Sequence, residues 1–278
     1  MKSTNNQTAH PKLCIHTITT KPWKINLAVE KYASAGVKGI TVWRNVFDDT
    51  SPENVGQIIK DHGLIAVSLC RGGYFTSTDK HRREIAIDDN FKAIDEAASI
   101  GAPLVVLVPG ADPGQSIETS RDQIKRGIEA ILPRAEKNGV RLAIEPLHPV
   151  YADSRSAINT LSQANDLTDI FNSPFLGIAV DVYHVWWDQN LGSEIKRAGN
   201  STRLFAFHVC DWKTPTVDIL NDRGLMGEGC IDIPMIRKQM NASGFDGFNE
   251  VEIFSDIYWN SNQDEYLAKI INAYQKYV

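Results

Sequence analysis

Glu145, Asp181, His208 and Glu252 each end a short apolar run, over residues 141–145, 176–181, 204–208 and 248–252. Three carboxylates and one imidazole make an oxygen-rich donor set with one nitrogen, a mix that suits a divalent cation. Any one of them alone would read as a solvated or hydrogen-bonded residue at a strand end. The weight comes from recurrence at the same place in four runs. Alternation along a strand puts Ala143 with Glu145, Ala179 with Asp181, Ala206 with His208 and Glu250 with Glu252 on shared faces. The opposite faces carry Leu142, Ile144, Ile178, Val180, Phe205, Phe207, Val251 and Ile253. If the strands are neighbours in one barrel, the first set points inward, small alanines lie beneath three of the ligands, and the second set meets surrounding helices.

Other residues near strand ends extend the candidate site. His184 follows Asp181 by three residues, where substrate contact or proton handling fits better than a fifth ligand. Glu250 lies one layer below Glu252 and is expected to orient a ligand or a buried basic group. His16, Arg71 and Lys213 follow the first, third and seventh strands and are substrate-binding candidates, with Arg44 after the second. Gly72 and Gly73 would let backbone approach a ligand beside Arg71. Trp212 is a further substrate-binding candidate, an apolar wall on which a sugar ring stacks. The Val185–Asp188 loop, rich in tryptophan, is expected to be exposed at a homo-oligomeric contact.

These side chains need a scaffold, and the chain repeats one grammar: helix, glycine, strand. Strands are predicted over 13–17, 37–43, 64–69 and 104–108 as well as the four runs above. Helices are predicted over 25–34, 52–62, 88–100, 116–138, 154–171, 191–199, 234–242 and 264–277, with Gly36, Gly63, Gly101, Gly139 and Gly244 closing five of them. Residues 210–229 are expected to form a long loop. Eight βα units argue for a parallel sheet closed into a (β/α)8 TIM barrel, over residues 12–278 behind a flexible lead of residues 1–11. No GxGxxG or GxxxxGK[ST] follows a strand, which argues against a dinucleotide or P-loop site.

Composition excludes other classes. A length of 278 residues accommodates one barrel, and 23% charged with 42% hydrophobic residues is ordinary for a globular protein. A net charge of −5 gives no support for nucleic-acid or anionic-membrane partners. Cys14, Cys70, Cys210 and Cys230 show no CxxC spacing, so free thiols are expected. The polar start, Met1–His10, lacks the apolar core of an export signal, and a cytoplasmic location is expected.

As an ordered set, Ala143-Ile-Glu-Pro146, Val180-Asp-Val-Tyr-His184, Phe207-His-Val-Cys-Asp-Trp212, Gly227-Glu-Gly-Cys-Ile-Asp232 and Gly247-Phe-Asn-Glu-Val-Glu252 resemble the sugar phosphate isomerase/epimerase family with a xylose isomerase-like TIM barrel. The likeness runs from about residue 12 to 277. It implies one divalent ion (Mn, Mg, Co or Zn) held by Glu145, Asp181, His208 and Glu252, with His184 on the substrate. It also implies that Glu145 and Glu252 double as the acid/base pair of an isomerase or epimerase acting on a sugar or polyol ketone through a metal-bound enediolate. The sequence departs from ketose 3-epimerases at Ile253, where many carry proline, and at Lys213. Those departures keep open a lyase of inosose or dehydroshikimate dehydratase type on the same barrel. An AP endonuclease-like nuclease or a non-catalytic sugar-binding barrel is less favoured, since neither a His-rich trinuclear set nor a basic groove is evident.

Overall fold

Branched and aromatic runs take extended backbone because their side chains pack well on a pleated surface, and here they close a barrel. In the computed structural model the described residues are 10–278. The strands are β1 (His10–His16), β2 (Val37–Trp43), β3 (Ile65–Gly73), β4 (Leu104–Val108), β5 (Arg141–Ile144), β6 (Leu176–Asp181), β7 (Leu204–Val209), β8 (Asp211–Trp212), β9 (Arg223–Gly224) and β10 (Asn249–Val251). Eight are parallel in the closed order β1-β10-β7-β6-β5-β4-β3-β2, while β8 and β9 pair antiparallel outside the ring. The expected lead falls outside the described residues as far as residue 9. His10 and Pro11 already belong to β1, held by the His10 amide donating to the Gly36 carbonyl at 3.1 Å.

The helices are α1 (Ile25–Ser34), α2 (Pro52–Asp61), α3 (Lys80–Ile100), α4 (Ile117–Asn138), α5 (Leu161–Phe171), α6 (Val182–Val185), α7 (Leu191–Asn200), α8 (Ile233–Ala242), α9 (Asp256–Trp259) and α10 (Gln263–Tyr277). Side-chain caps start many of them: Ser51, Ser116, Thr160 and Asp232 each accept from a backbone amide of the first turn. Gly101 and Gly139 end α3 and α4 in the left-handed region, at φ 77° and 66°, and turn the chain into β4 and β5.

Two layers of apolar side chains follow from alternation. Ala143, Ala179 and Ala206 are fully buried inside the barrel with Cys70, Leu104 and Val106. Leu142, Ile144, Ile178, Val180, Phe207, Val251 and Ile253 face the helix layer in the large outer core. Phe205 departs from the expected face. A register shift opposite Ile178 and Ala179 places it against the interior alanine cluster, with Arg141 stacked on its ring at 4.5 Å.

Other differences have local causes. α3 begins at Lys80 rather than near Asp88: Asp79 accepts from the His81 amide, and the first turns carry a charged run with little apolar periodicity to read. α5 begins at Leu161 rather than at residue 154. The preceding segment is tied instead to the end of β4, with Gly110 donating to the Arg155 carbonyl at 2.9 Å and Ala157 donating to that of Gly110 at 2.9 Å. β3 runs on to Gly73, where φ is 103° and an added Cβ would lie 1.9 Å from the Val108 carbonyl oxygen. That glycine is required by strand packing, and with Gly72 it also lines the cavity beside Arg71. The tryptophans after β6 also turn inward: Trp186 packs on the core, and the Trp187 indole donates to the His184 carbonyl at 2.8 Å.

Candidate metal centre

Strand register brings the four predicted ligands together. Asp181 on β6 pairs with His208 on β7, and His208 pairs with Glu250 on β10, which sets Glu252 one step beyond the strand. Glu145 follows β5, its amide donating to the Leu107 carbonyl at 3.0 Å. One ligand atom from each of Glu145, Asp181, His208 and Glu252 lies within 4.8 Å of the others, and all four residues are buried. His208 Nδ1 sits 2.9 Å from Glu145 Oε1. Asp181 Oδ1 accepts from the Tyr183 amide at 2.8 Å, so α6 caps itself on the ligand and leaves Oδ2 to the centre.

Beneath this layer Glu250 is held through one carboxylate oxygen. Its Oε2 accepts from Thr41 Oγ1 at 2.6 Å and from Ser68 Oγ at 2.9 Å, and lies 3.3 Å from His16 Nε2. It also faces His208 Nε2 at 3.8 Å. His16 lies below the ligands: its Nδ1 is 3.2 Å from Glu252 Oε1 and also 3.2 Å from the Trp43 indole nitrogen. Only one of these can be satisfied at a time. A protonated Nδ1 bonds the carboxylate, and a bare one accepts from the indole.

Arg223 is the residue that sequence reasoning missed. Its guanidinium is buried, 2.7 Å from Glu252 Oε2, 3.2 Å from Asp181 Oδ2 and 3.4 Å from His184 Nε2, and stacks on Tyr183 and Phe254 at 4.4 and 5.0 Å. Lys213 does not reach the centre. It pairs with Asp222, the residue before Arg223, across the turn that β8 and β9 make. A signal existed: in residues 210–229 Lys213 and Arg223 are the two basic side chains, and a buried acidic rim calls for one of them.

Charge balance tests whether an ion fits. Four buried carboxylates (Glu145, Asp181, Glu250, Glu252) face one guanidinium and two imidazoles. Burial pulls both histidines down, but hydrogen bonds to Glu250 and Glu252 raise His16 to about 9, and those from Glu145 and the Glu250 charge raise His208 to about 10. Without an ion, two imidazolium charges are therefore what the carboxylates draw in. A divalent cation supplies the same charge, frees His208 Nδ1 to ligate, leaves that ring's proton on the Glu250 side, and lets His16 accept from Trp43. Burial raises Asp181 to about 7 against the pull of Arg223. For Glu252 burial also pushes upward, but Arg223 and then His16 outweigh it and hold the carboxyl well below its usual range. The donor set fits one divalent ion.

Above the centre a cavity of about 30 Å³ is lined by Glu145, Glu252, His184, Arg71, Arg155 and Leu220, among others. A neighbouring cavity of about 360 Å³ shares Trp43 and Arg71 with it. Burial and the Arg223 charge depress His184 well below its usual range, so its imidazole is neutral, with Nδ1 unpartnered. Residues 213–222 close the top, pinned where the hydroxyls of Tyr151 and Tyr183 donate to the Ile219 carbonyl at 2.8 and 2.7 Å. Trp212 does not line the cavity; it stacks on Tyr183 at 4.6 Å. Of the substrate-binding candidates, then, Arg71 and His184 reach the cavity, His16 lies under it, and Lys213 and Trp212 lie outside.

Among the described residues no helix is long and apolar enough to cross a membrane, and Cys14, Cys70, Cys210 and Cys230 are free. A family model described as a xylose isomerase-like TIM barrel matches residues 29–276. An inosose isomerase of Bacillus velezensis is 25% identical over 228 residues, covering 78% of this chain and 77% of that protein. The crystal structure of protein SMc04130 from Sinorhizobium meliloti 1021 superposes with a TM-score of 0.92 at 44% identity, covering 96% of this chain and 98% of that one. That of an IOLI protein with a bound zinc atom superposes with a TM-score of 0.83 at 21% identity, over 96% and 99% of the two chains.

Proposed function

The chain belongs to the xylose isomerase-like TIM barrel family, and we propose that it is a divalent-metal-dependent isomerase or epimerase of sugars or polyol ketones in which Glu145 and Glu252 pass a carbon-bound proton. The observation that carries this reading is the convergence of Glu145, Asp181, His208 and Glu252 on one buried point, with two of those carboxylates lining the cavity above it. The inosose isomerases among its relatives support the reaction class. A divalent ion held by the four would act as a Lewis acid on a carbonyl and its neighbouring hydroxyl, acidifying the carbon between them.

The chain's own groups divide the remaining work. Glu252, held ionised by Arg223, starts the cycle as a proton acceptor. Among the described residues Glu145 bonds the His208 imidazole and no arginine, and we assign it as the base that takes the proton first. Neutral His184 offers a nitrogen that can accept from or donate to a substrate hydroxyl. The cavity alone is far smaller than the roughly 300 Å³ or more that a ligand needs, and the neighbouring cavity of about 360 Å³, which shares Trp43 and Arg71, would supply the room for the rest of a substrate.

The test is exchange. Metal-loaded protein is incubated with a ketose panel in deuterium oxide, and NMR reads incorporation at carbon while mass spectrometry reads the product. Deuterium uptake without change of skeleton mass is expected, falling about 10²–10⁴-fold in Glu145→Gln at equal metal occupancy. Loss of water from the product would replace isomerase with dehydratase chemistry. No exchange with any ketose would overturn the reading.

A further inference from the structure

Two guanidinium groups line the cavity above the metal centre without a salt bridge among the described residues. The other cations near the rim are spent: Arg223 on Asp181 and Glu252, Lys213 on Asp222, and Arg44 on Asp89 and Glu96. Arg71 and Arg155 make neither an ion pair nor a side-chain hydrogen bond among the described residues, although both share the cavity wall with Glu145 and Glu252. They are nonetheless held. The Arg71 guanidinium stacks 4.3 Å from the Tyr74 ring centre, and that of Arg155 lies 5.6 Å from Tyr151.

Those two tyrosines pack in one apolar cluster with Val108 and Leu147. Backbone bonds fasten both segments to the end of β4: the Tyr74 amide donates to the Val108 carbonyl at 2.8 Å, and the Gly110 amide to that of Arg155 at 2.9 Å. The charges that hold Asp181 and Glu252 come from Arg223 and the histidines. Arg71 and Arg155 are therefore surplus to the centre's own balance. Half-buried guanidiniums, stacked on aromatic faces and not salt-bridged to a carboxylate, have the planar donor forks that recognise an oxyanion.

We propose that the substrate is anionic: a ketose-like molecule whose carboxylate or phosphate group is held by Arg71 and Arg155 while its carbonyl end reaches Glu145, Glu252 and the metal. This rests on the isomerase reading and narrows it, from neutral sugars to sugar acids or sugar phosphates.

The experiment compares three six-carbon ketoses with zinc-loaded protein at fixed ionic strength: D-fructose, 5-keto-D-gluconate and D-fructose 6-phosphate. Calorimetry reads binding, and deuterium incorporation reads turnover separately. At least one anion is expected to bind about 100-fold or more tighter than D-fructose. The preference for that anion should drop on the order of 10–100-fold in each of Arg71→Gln and Arg155→Gln. Arg71→Lys, which keeps the charge and loses the fork, should fall between. Which anion wins distinguishes carboxylate from phosphate. D-Fructose binding as tightly as both anions, neither anion binding, or variants that weaken neutral and charged ligands by one factor would overturn the proposal. Tight anion binding without exchange would support the subsite and count against the isomerase reading.

Discussion

Replacing Arg223 with glutamine tests whether its guanidinium is the cation that makes the centre tolerable before a metal arrives. The guanidinium lies 2.7 Å from Glu252 Oε2 and 3.2 Å from Asp181 Oδ2, with all three groups buried. Removing one partner of such a set leaves uncompensated buried charge, a loss of about 3–5 kcal/mol. With about 2.1 cal/mol/K of unfolding entropy per residue over 278 residues, that is a fall in Tm of roughly 5–9 °C for metal-free protein. The pH dependence has a definite sign. Glu252 is held below its unfolded pKa, so its contribution exists above that pKa and fades as pH falls. The deficit of Arg223→Gln is thus largest near neutrality and shrinks in acid, where the carboxyls protonate. Calorimetric scans in chelator at pH 7.5 and at about pH 4, below the ordinary glutamate pKa, would read both effects. Zinc should raise the variant's Tm more than the wild type's, because Arg223 no longer competes for the same two oxygens. A neutral-pH drop under roughly 2 °C, or equal zinc stabilisation in both proteins, would refute the reasoning.

Further outcomes follow from the same geometry. Without an ion, His208 is raised to about 10, His16 to about 9 and Asp181 to about 7, so zinc binding at pH 8 should release close to two protons, and more at pH 6. Affinity then rises with pH, and titrations in buffers of different ionisation enthalpy check it; zinc binding without proton release would contradict it. Gly73→Ala forces a side chain at φ 103° into the Val108 carbonyl and should cost at least the 1–3 kcal/mol, roughly, of such strain, read as a lowered denaturation midpoint. Tyr151→Phe combined with Tyr183→Phe removes both hydroxyls from the Ile219 carbonyl. Amides of residues 217–221 should then exchange faster by mass spectrometry while those of the barrel strands stay protected.

The ligand set is legible in the sequence because period-two alternation is a strong constraint: once residues 141–145 and 204–208 are strands, Glu145 and His208 can only share a face with Ala143 and Ala206. The interior alanines and the helix-closing glycines are readable for the same reason, since each rests on local geometry. Glu250 is also placed by alternation, although its bonds to Thr41 and Ser68 on β2 and β3 need the closed ring. Arg223 is not legible that way. Residues 210–229 follow no period, and only the β8–β9 turn, fastened by Lys213 to Asp222, decides which of its two cations enters the centre. The early start of α3 and the late start of α5 escape because charged first turns and a segment strapped to Gly110 carry no apolar rhythm. Phe205 escapes because a register shift is invisible in one strand alone.

Elemental analysis of the purified protein, beside His208→Ala and Glu252→Ala, tests the central claim most directly. Wild type should carry about one divalent ion per chain, and both variants should lose it while keeping the far-ultraviolet spectrum of an α/β barrel. A wild type that takes up no metal on soaking, or variants that keep it in full, would contradict the account.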